Sequence, residues 1–350
     1  MYGEPQALPE QDEDDPYVVL RSHWQHAVKR CGTRRSRQCV DGSRRAAPIL
    51  HVLADSYSSC VNQPVQRLFM AISALKNNLL FGGDARDAYA HAWANFSQRT
   101  FVRVDAPYIE WYQARHGVKL DRSFVLPVLK AIQGHSEAGR LWEEHINKIL
   151  FSEDLKFTTT THDHCIYRTV FNGEEVFLLR QTDDFAISCK NETTAVTIFD
   201  IIGKKLQLRN EDSPPFDYFG KLVDFNGVEV NQFQEYIGMS CSGYIDRVVR
   251  SHGWDKDPTF GNTTDRPTSP LPDNCIHQLY ESFIGTEGGG FKEGTTQHKD
   301  LEDEMGFAYR TVLGELMFAY VCCRLDIAYA VSPPFRSSPT APLGCTTNTL

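Results

Sequence analysis

A short acidic interruption in an apolar stretch constrains the fold of this chain more than any other feature. Residues 176–188 read VFLLRQTDDFAIS, so that Asp183 and Asp184 lie between two apolar runs. Two bare carboxylates cannot both be buried there, because each would carry a large desolvation penalty and the two would repel each other. Either a cation binds at this point, or the acidic pair is the solvated tip of a hairpin, where Asp is common.

The segments around this pair predict an antiparallel sheet. CIYRTVF (165–171) and EVFLLRQ (175–181) have the composition of short strands, and the Asn172-Gly173 pair between them is a strong signal for a tight hairpin. The second strand runs into the acidic pair, and AISCK (186–190) continues the sheet after a sharp turn.

Helical spacing of apolar residues predicts four helices, at 66–80, 137–152, 194–208 and 309–323. In the first of them, one apolar face is predicted from Leu68, Ile72, Leu75 and Leu79, and Gly82-Gly83 then lead into a strand-like segment. Residues 225–254 are typical of a strand, a turn, a second strand and a helix. Residues 256–300 are rich in Asp, Pro, Thr and Gly, which favours long loops.

Composition places the chain among folded proteins that work inside the cell. It has 350 residues, 41% of them hydrophobic, including 21 Phe and 14 Tyr, which excludes the disordered class. The sequence has neither a long uninterrupted apolar run nor a secretory leader, so we expect no membrane association and an intracellular location.

The charge of the chain is unevenly distributed. The net charge is −9, yet a basic block over residues 21–45 contains Arg21, Lys29, Arg30, Arg34, Arg35, Arg37, Arg44 and Arg45 against a single acid, Asp41. Such a block is compatible with a surface that binds phosphate groups, and equally with an ordinary solvated face.

A second acidic segment favours the cation at the Asp183-Asp184 turn. LLFGGDARDAYAH (79–91) places Asp84 directly after an apolar run and two glycines, again at the end of a predicted strand. Two divalent cations about 3.5–4 Å apart need carboxylates from separate strands. A strand with Asp, a helix, and then a hairpin with Asp-Asp is the order found in a polymerase palm.

Six ordered segments resemble the reverse transcriptase of Ty1/copia-type LTR retrotransposons, over residues 34–331. QTDDFAI (181–187) resembles the family's Tyr-Val-Asp-Asp hairpin, and DARDAY (84–89) resembles its Asp-Val-x-x-Ala-Phe segment. VLKAIQGHSEAGRLW (128–142) aligns without gaps on LKKSLYGLKQAPRAW and shares Lys130, Gly134, Ala138, Arg140 and Trp142. The remaining three are DHCIY (163–167), FNGVEV (225–230) with the following GYIDRVV, and YRTVLGELMFAYVCCRLDIAYAV (309–331).

The resemblance implies an α+β fold of the right-hand polymerase type, with fingers, palm and thumb, in which an antiparallel palm sheet is backed by helices. The boundaries it implies are a disordered acidic tail at 1–20, a fingers-like basic segment and helix at 21–80, a palm at 81–205 with a fingers insertion near 100–130, a primer grip and thumb at 206–255, a connection segment at 256–331 and a disordered tail at 332–350.

The resemblance also implies the activity, an RNA-directed DNA polymerase that extends a primer on an RNA or DNA template with dNTPs. Asp84, Asp183 and Asp184 would then be the catalytic residues and the ligands of two Mg²⁺ ions, which Mn²⁺ can replace. Five residues would contact the incoming nucleotide or the template: the ring of Tyr89 against the sugar, Gln133 and Gly134 near the sugar and template, and Arg35 with Arg37 on the triphosphate. The resemblance further implies a location in cytoplasmic particles or in the nucleus.

Several positions depart from the family pattern. Thr182, Gly139, Asn226 and Leu325 replace the residues that the family favours, and Gln133 stands where an aromatic residue is usual, but no predicted metal ligand is lost. The resemblance ends at residue 331, so we expect a truncated fragment of a polyprotein without an RNase H domain. Two alternatives stay open: an inactive retroelement remnant that binds nucleic acid or a protein partner, and another two-metal enzyme such as a nuclease.

Overall fold

The computed structural model of the protein describes residues 1–11, 15–28, 32, 34–50, 56–206, 214–256, 291–292, 295–329, 331 and 340–341. The chain divides into two units, Met1–Leu222 and Val223–Leu350, and each is described by itself. The predicted loops at 256–300, much of the predicted connection segment and most of the predicted tail at 332–350 lie outside the described residues.

A six-stranded antiparallel sheet forms the centre of the first unit. Its strands, in spatial order, are β12 (Phe216–Lys221), β5 (Leu79–Ala85), β11 (Asp184–Cys189), β10 (Glu174–Gln181), β9 (Ile166–Phe171) and β8 (Thr158–Thr159). The two predicted hairpins at 165–190 are confirmed. Strand β12 belongs to the same sheet, which therefore extends beyond residue 205, where the sequence predicts the palm to end.

Two helices, α4 (Ala138–Leu150) and α5 (Glu192–Lys205), close the core against this sheet. Their apolar residues recur at helical spacing, so Trp142, Ile146 and Ile198 are buried together with the inward face of β10 and β11. Both helices confirm the sequence prediction. The combination of helices with an antiparallel sheet is consistent with the expected α+β class.

The first helix differs from its prediction in extent and in orientation. It is α1 (Gln63–Leu75), and it ends before strand β5, which contains both glycines in its interior. The predicted apolar face is wrong, because Leu68 and Leu75 are exposed while Phe69 and Met70 are buried. Phe199 of α5 explains the second glycine, since a Cβ at Gly83 would lie 2.4 Å from its ring.

A second sheet and a separate hairpin complete the first unit. The sheet contains β1 (Gln6–Ala7), β7 (Phe124–Pro127), β6 (Arg99–Arg103) and β2 (Tyr17–Leu20), and the hairpin consists of β3 (Ser22–Val28) and β4 (Arg34–Val40). Two short helices, α2 (Ala88–His91) and α3 (Ala106–His116), lie between these strands in the chain. The sequence predicts disorder over 1–20, whereas β1 and β2 within this range pair with β7 and β6; residues 12–14 lie outside the described residues.

The second unit contains a three-stranded sheet followed by helices. Its described elements are β13 (Asp224–Phe225), β14 (Val228–Gln232), β15 (Ile237–Ser240), α6 (Ser242–Ser251), β16 (Phe291–Lys292), α7 (Thr296–Met305), α8 (Tyr309–Cys322) and β17 (Thr340–Ala341). This confirms the strand, turn, strand and helix predicted over 225–254 and the helix predicted at 309–323.

Candidate active site

Strands β5 and β11 bring together acidic residues that are far apart in the sequence. Asp84 lies directly opposite Asp184 in the antiparallel register. Opposite residues project from the same face of a sheet, so these two carboxylates share one side. Asp183 occupies the turn just before Asp184, and its carbonyl oxygen accepts a 2.8 Å hydrogen bond from the N–H of Ala85. The three predicted aspartates therefore lie at one end of the sheet.

The turn between β10 and β11 consists of Thr182 and Asp183, and neighbouring segments hold it. Thr182 has a φ of 53°, a conformation that is unfavourable for a β-branched residue. Its carbonyl oxygen accepts a 2.7 Å hydrogen bond from the indole N–H of Trp142. The side-chain oxygen of Gln181, just before the turn, accepts another from the N–H of Val61 at 2.7 Å. The shape of this turn is thus set by tertiary contacts.

The electrostatics around Asp183 disfavour its charged form. Burial raises the pKa of the Asp183 carboxyl, the charge of Asp217 adds to this effect, and the charge of Arg35 opposes it. Asp217 is the extra residue of a bulge in β12, and its carboxylate forms a 2.5 Å ion pair with Arg86. An additional cation near Asp183 would relieve the cost of burying its charge.

A cavity of about 540 Å³ opens next to the turn. Four of the predicted site residues line it, namely Arg37, Tyr89, Gln133 and Asp183. Tyr89 is half-buried, and burial, followed by the charge of Asp183, raises the pKa of its phenol. The cavity therefore combines a guanidinium, an amide, an aromatic ring and a carboxylate.

The remaining predicted residues lie beside this cavity rather than in its wall. Asp84 and Asp184 belong to the adjoining strand pair, and Arg35 acts on Asp183 through its charge. Gly134 has a φ of 93°, and a Cβ there would lie 2.0 Å from the carbonyl oxygen of Val40. In the structure this glycine therefore admits strand β4 of the basic hairpin, whose Val40 N–H donates to the Gln133 carbonyl at 2.8 Å.

Sequence reasoning missed four residues that shape the site. Met1 lines the cavity, Arg86 and Asp217 form the ion pair beside Asp183, and Trp142 binds the turn. Asp217 gave a signal that could have been used, since an acid inside the apolar stretch FDYF is typical of a bulge next to a site. Trp142 stood out as a residue shared with the family pattern, though without a role at the turn, and Met1 and Arg86 gave no signal.

The donor chemistry of the site suits Mg²⁺, which prefers carboxylate oxygens. Asp84, Asp183 and Asp184 supply such oxygens from two adjacent strands and their turn. Within the part of the chain that the structure describes, however, no group of three His, Cys, Asp or Glu side chains is arranged to hold a metal ion. The fit to a metal thus rests on ligand type and on backbone register.

Comparison with known protein families relates the chain to a described family. The family model described as reverse transcriptase (RNA-dependent DNA polymerase) matches residues 16–265, which is more than half of the chain. No curated protein matches the chain. None of the helices in the described ranges has the length and apolar character needed to span a bilayer.

Proposed function

Because the chain belongs to the reverse transcriptase (RNA-dependent DNA polymerase) family, we propose that it is the RNA-directed DNA polymerase of a copia-type retrotransposon. The reaction joins a dNTP to the 3′-hydroxyl of a primer paired to an RNA or DNA template and releases pyrophosphate. One observation carries the proposal: Asp84 and Asp184 face each other across two strands, with Asp183 in the adjoining turn at the edge of a cavity.

In this proposal the three aspartates form the metal-binding part of the site. Two Mg²⁺ ions, when bound, lower the pKa of the primer hydroxyl and neutralise the triphosphate and its leaving pyrophosphate. Asp84 and Asp183 hold these ions, and Asp184 supports them from the neighbouring position. Burial raises the pKa of Asp183, so a bound cation would stabilise its charged form.

The cavity would receive the incoming nucleotide. Its volume of about 540 Å³ lies within the ~300–1,000 Å³ that small-ligand pockets occupy. Tyr89 would lie against the sugar and exclude a 2′-hydroxyl, and Gln133 would hydrogen-bond near the same sugar. Arg37 and Arg35 would bind triphosphate oxygens, for which a guanidinium is well suited because it can form two parallel hydrogen bonds.

The arrangement of fingers, palm and thumb is part of the same proposal. The six-stranded sheet with α4 and α5 would be the palm, and the basic hairpin of β3 and β4 would belong to the fingers. In the second unit, β13 to β15 would grip the primer and α6 would begin the thumb.

Incorporation of labelled dNTPs on a primed RNA template, with Mg²⁺ or Mn²⁺, tests the proposal. The purified chain should extend the primer, and Asp183→Asn should abolish extension. Thr169→Val is a matched control, because it removes a buried hydrogen bond of the same sheet far from the turn. Strand cleavage without synthesis would instead favour a two-metal nuclease.

A catalytically inactive remnant that binds nucleic acid or a protein partner is the second candidate. It is favoured by the lack, among the described residues, of three acidic or other ligating side chains already arranged around a metal position. Binding of a labelled primer–template without extension under any metal condition would support this candidate and contradict the first.

A further inference from the structure

Helix α4 contacts the Asp183 turn through a single indole hydrogen bond. Trp142 is completely buried, and its N–H donates to the carbonyl oxygen of Thr182 at 2.7 Å. The tryptophan side chain has one polar hydrogen, the indole N–H, and in Trp142 this hydrogen is donated to the turn. The ring itself is fixed, because it belongs to the same core cluster as Phe185 and Ile187 of strand β11.

The turn depends on this bond more than an ordinary hairpin turn would. Thr182 holds a φ of 53° although it is β-branched, so its own backbone preference opposes the observed shape. Among the described residues, the Asp183 carbonyl accepts a hydrogen bond from the Ala85 N–H, and the Thr182 carbonyl accepts one from the Trp142 indole. Loss of the indole would remove the bond that holds the Thr182 carbonyl.

The next residue of the same helix binds the strand that leads into the turn. Glu143 forms a 3.0 Å ion pair with Arg180, whose side chain is 1% exposed. Glu143 also accepts a 2.7 Å hydrogen bond from the N–H of Ser59. Adjacent residues of α4 therefore contact both the end of β10 and the turn itself.

From this geometry we infer that Trp142 is a positioning residue for the metal site: its indole N–H fixes the Thr182–Asp183 turn and thereby the place of the Asp183 carboxylate. The inference rests on the proposed function, since it assigns the turn a divalent cation to bind. Trp142 contacts no reacting atom in this view, and its effect passes through the backbone of Thr182.

Trp142→Phe is the direct test, because it keeps a buried aromatic ring and removes the N–H, together with part of the indole ring. Without the indole bond the turn adopts its metal-binding shape less often, so Mn²⁺ affinity should fall about tenfold, the factor that corresponds to roughly 1.4 kcal/mol. Mn²⁺ binding to the full chain is measured by electron paramagnetic resonance. Primer extension should lose kcat by a similar factor, with the KM for primer–template unchanged.

Thr169→Val is the matched control, since Thr169 is also buried and donates from its side chain to a main-chain carbonyl, that of Leu155, at 2.8 Å. It should lower the thermal midpoint, by less than Trp142→Phe because it opens no cavity, and leave Mn²⁺ affinity and kcat unchanged. If Trp142 has only a structural role, Trp142→Phe should likewise lower the thermal midpoint and leave Mn²⁺ affinity and kcat unchanged.

The Thr182→Gly background, which relieves the strain at the turn, provides a second test, and Mn²⁺ affinity is compared only between variants whose thermal unfolding shows that they are folded. Glycine adopts positive φ without steric cost, so in this background Trp142→Phe should lower Mn²⁺ affinity by less than threefold. A full tenfold loss in that background, or native Mn²⁺ affinity in the single Trp142→Phe variant, would overturn the inference alone. If the unmodified chain neither binds Mn²⁺ nor extends a primer, the proposed function fails and the inference fails with it.

Discussion

The two turns at the ends of strand β10 are built in different ways. At one end, Asn172 and Gly173 have φ values of 51° and 79°, and both residues are exposed. At the other end, Thr182 has a φ of 53° and Asp183 follows it, and both are half-buried. Asn and Gly tolerate positive φ, whereas a β-branched residue does not. The first turn is encoded by its own residues, and the second is imposed by Trp142 and Ala85.

This contrast separates a turn that only reverses the chain from one that presents a functional group. Where local sequence and local shape agree, no outside support is needed. Where they disagree, the surrounding structure must hold the turn, and such disagreement concentrates at functional sites. The second turn also contains a carboxylate whose pKa burial raises, which is a further cost that the fold tolerates there.

The largest expected effect comes from neutralising the acid of the second turn. Asp183→Asn should reduce primer extension by at least about 10³-fold, or roughly 4 kcal/mol of activation free energy.

Asp183→Asn should also stabilise the metal-free chain. A carboxyl whose pKa is raised in the folded chain stabilises the fold when it is protonated, and this stabilisation is lost as the pH rises through the folded pKa. At neutral pH the charged Asp183 therefore lowers the stability of the folded chain, and Asn removes that charge. Thermal unfolding in a chelator should show a midpoint about 2–4 °C higher.

Asn172→Asp is the matched control at the first turn, where an acid of the same size is exposed to water. Extension and thermal midpoint should both stay at the level of the unmodified chain. Equal losses of activity at the two turns would remove the distinction between them.

Acidification should weaken the support of the second turn. His145 of helix α4 is half-buried next to Trp142, and burial, followed by the charges of His91 and two lysines, lowers its pKa to about 4. A lowered histidine pKa means that the unfolded chain binds the proton more readily, so stability is retained above the ordinary pKa of about 6.5 and is lost as the pH falls from there towards 4. After allowing for partial solvent screening, the loss should be on the order of 2 kcal/mol.

Urea unfolding at pH 7 and at pH 5 measures this loss. His145→Gln should flatten the pH dependence, and His162→Gln, at an exposed position, should leave it intact. If stability depends on pH in the same way after His145→Gln, other titrating groups cause that dependence.

The contrast between the turns also explains how far the sequence could predict this molecule. The Asn172-Gly173 hairpin and the helices α4 and α5 were predictable, because their turn chemistry and apolar spacing are local properties. The apolar face of α1 was predicted wrongly, since Leu68 and Leu75 continue the spacing yet are exposed in the structure. Periodicity indicates that a helix exists, but which face is covered depends on the partners it meets.

For the candidate site, the sequence could identify the acids but not what holds them. Asp84 and Asp183 stood out because charge interrupts apolar strands. The hydrogen bond of Trp142 and the ion pair of Asp217 join residues far apart in the chain. The stretch FDYF indicates a bulge at Asp217, but no local pattern identifies the partner of either residue. The glycine at 134 could be predicted to lie where another group comes close to the backbone. In the structure that group is the carbonyl oxygen of Val40, from the same chain.

The first turn should be sensitive to its glycine and irrelevant to activity. Gly173→Thr places a β-branched residue at a φ of 79°, where surrounding space is open and only the backbone opposes it. The cost should be about 1–2 kcal/mol in urea unfolding, with unchanged primer extension per folded molecule. Tolerance of threonine at this position would mean that this turn, too, is held from outside.

The smallest effect is expected from the reciprocal change, Thr182→Gly. Glycine removes the steric cost of the φ of 53°, and it also gives the unfolded chain more freedom, so the two contributions oppose each other. The net change in the free energy of unfolding should stay within about 0.5 kcal/mol, far less than a threonine-to-glycine change costs in a strand.

Thr182→Gly should also leave primer extension in place, because the Trp142 hydrogen bond goes to the backbone carbonyl and survives the substitution. A loss above roughly 1.5 kcal/mol in urea unfolding would show that the threonine side chain itself stabilises the turn, and the distinction between a locally encoded and an imposed turn would no longer hold.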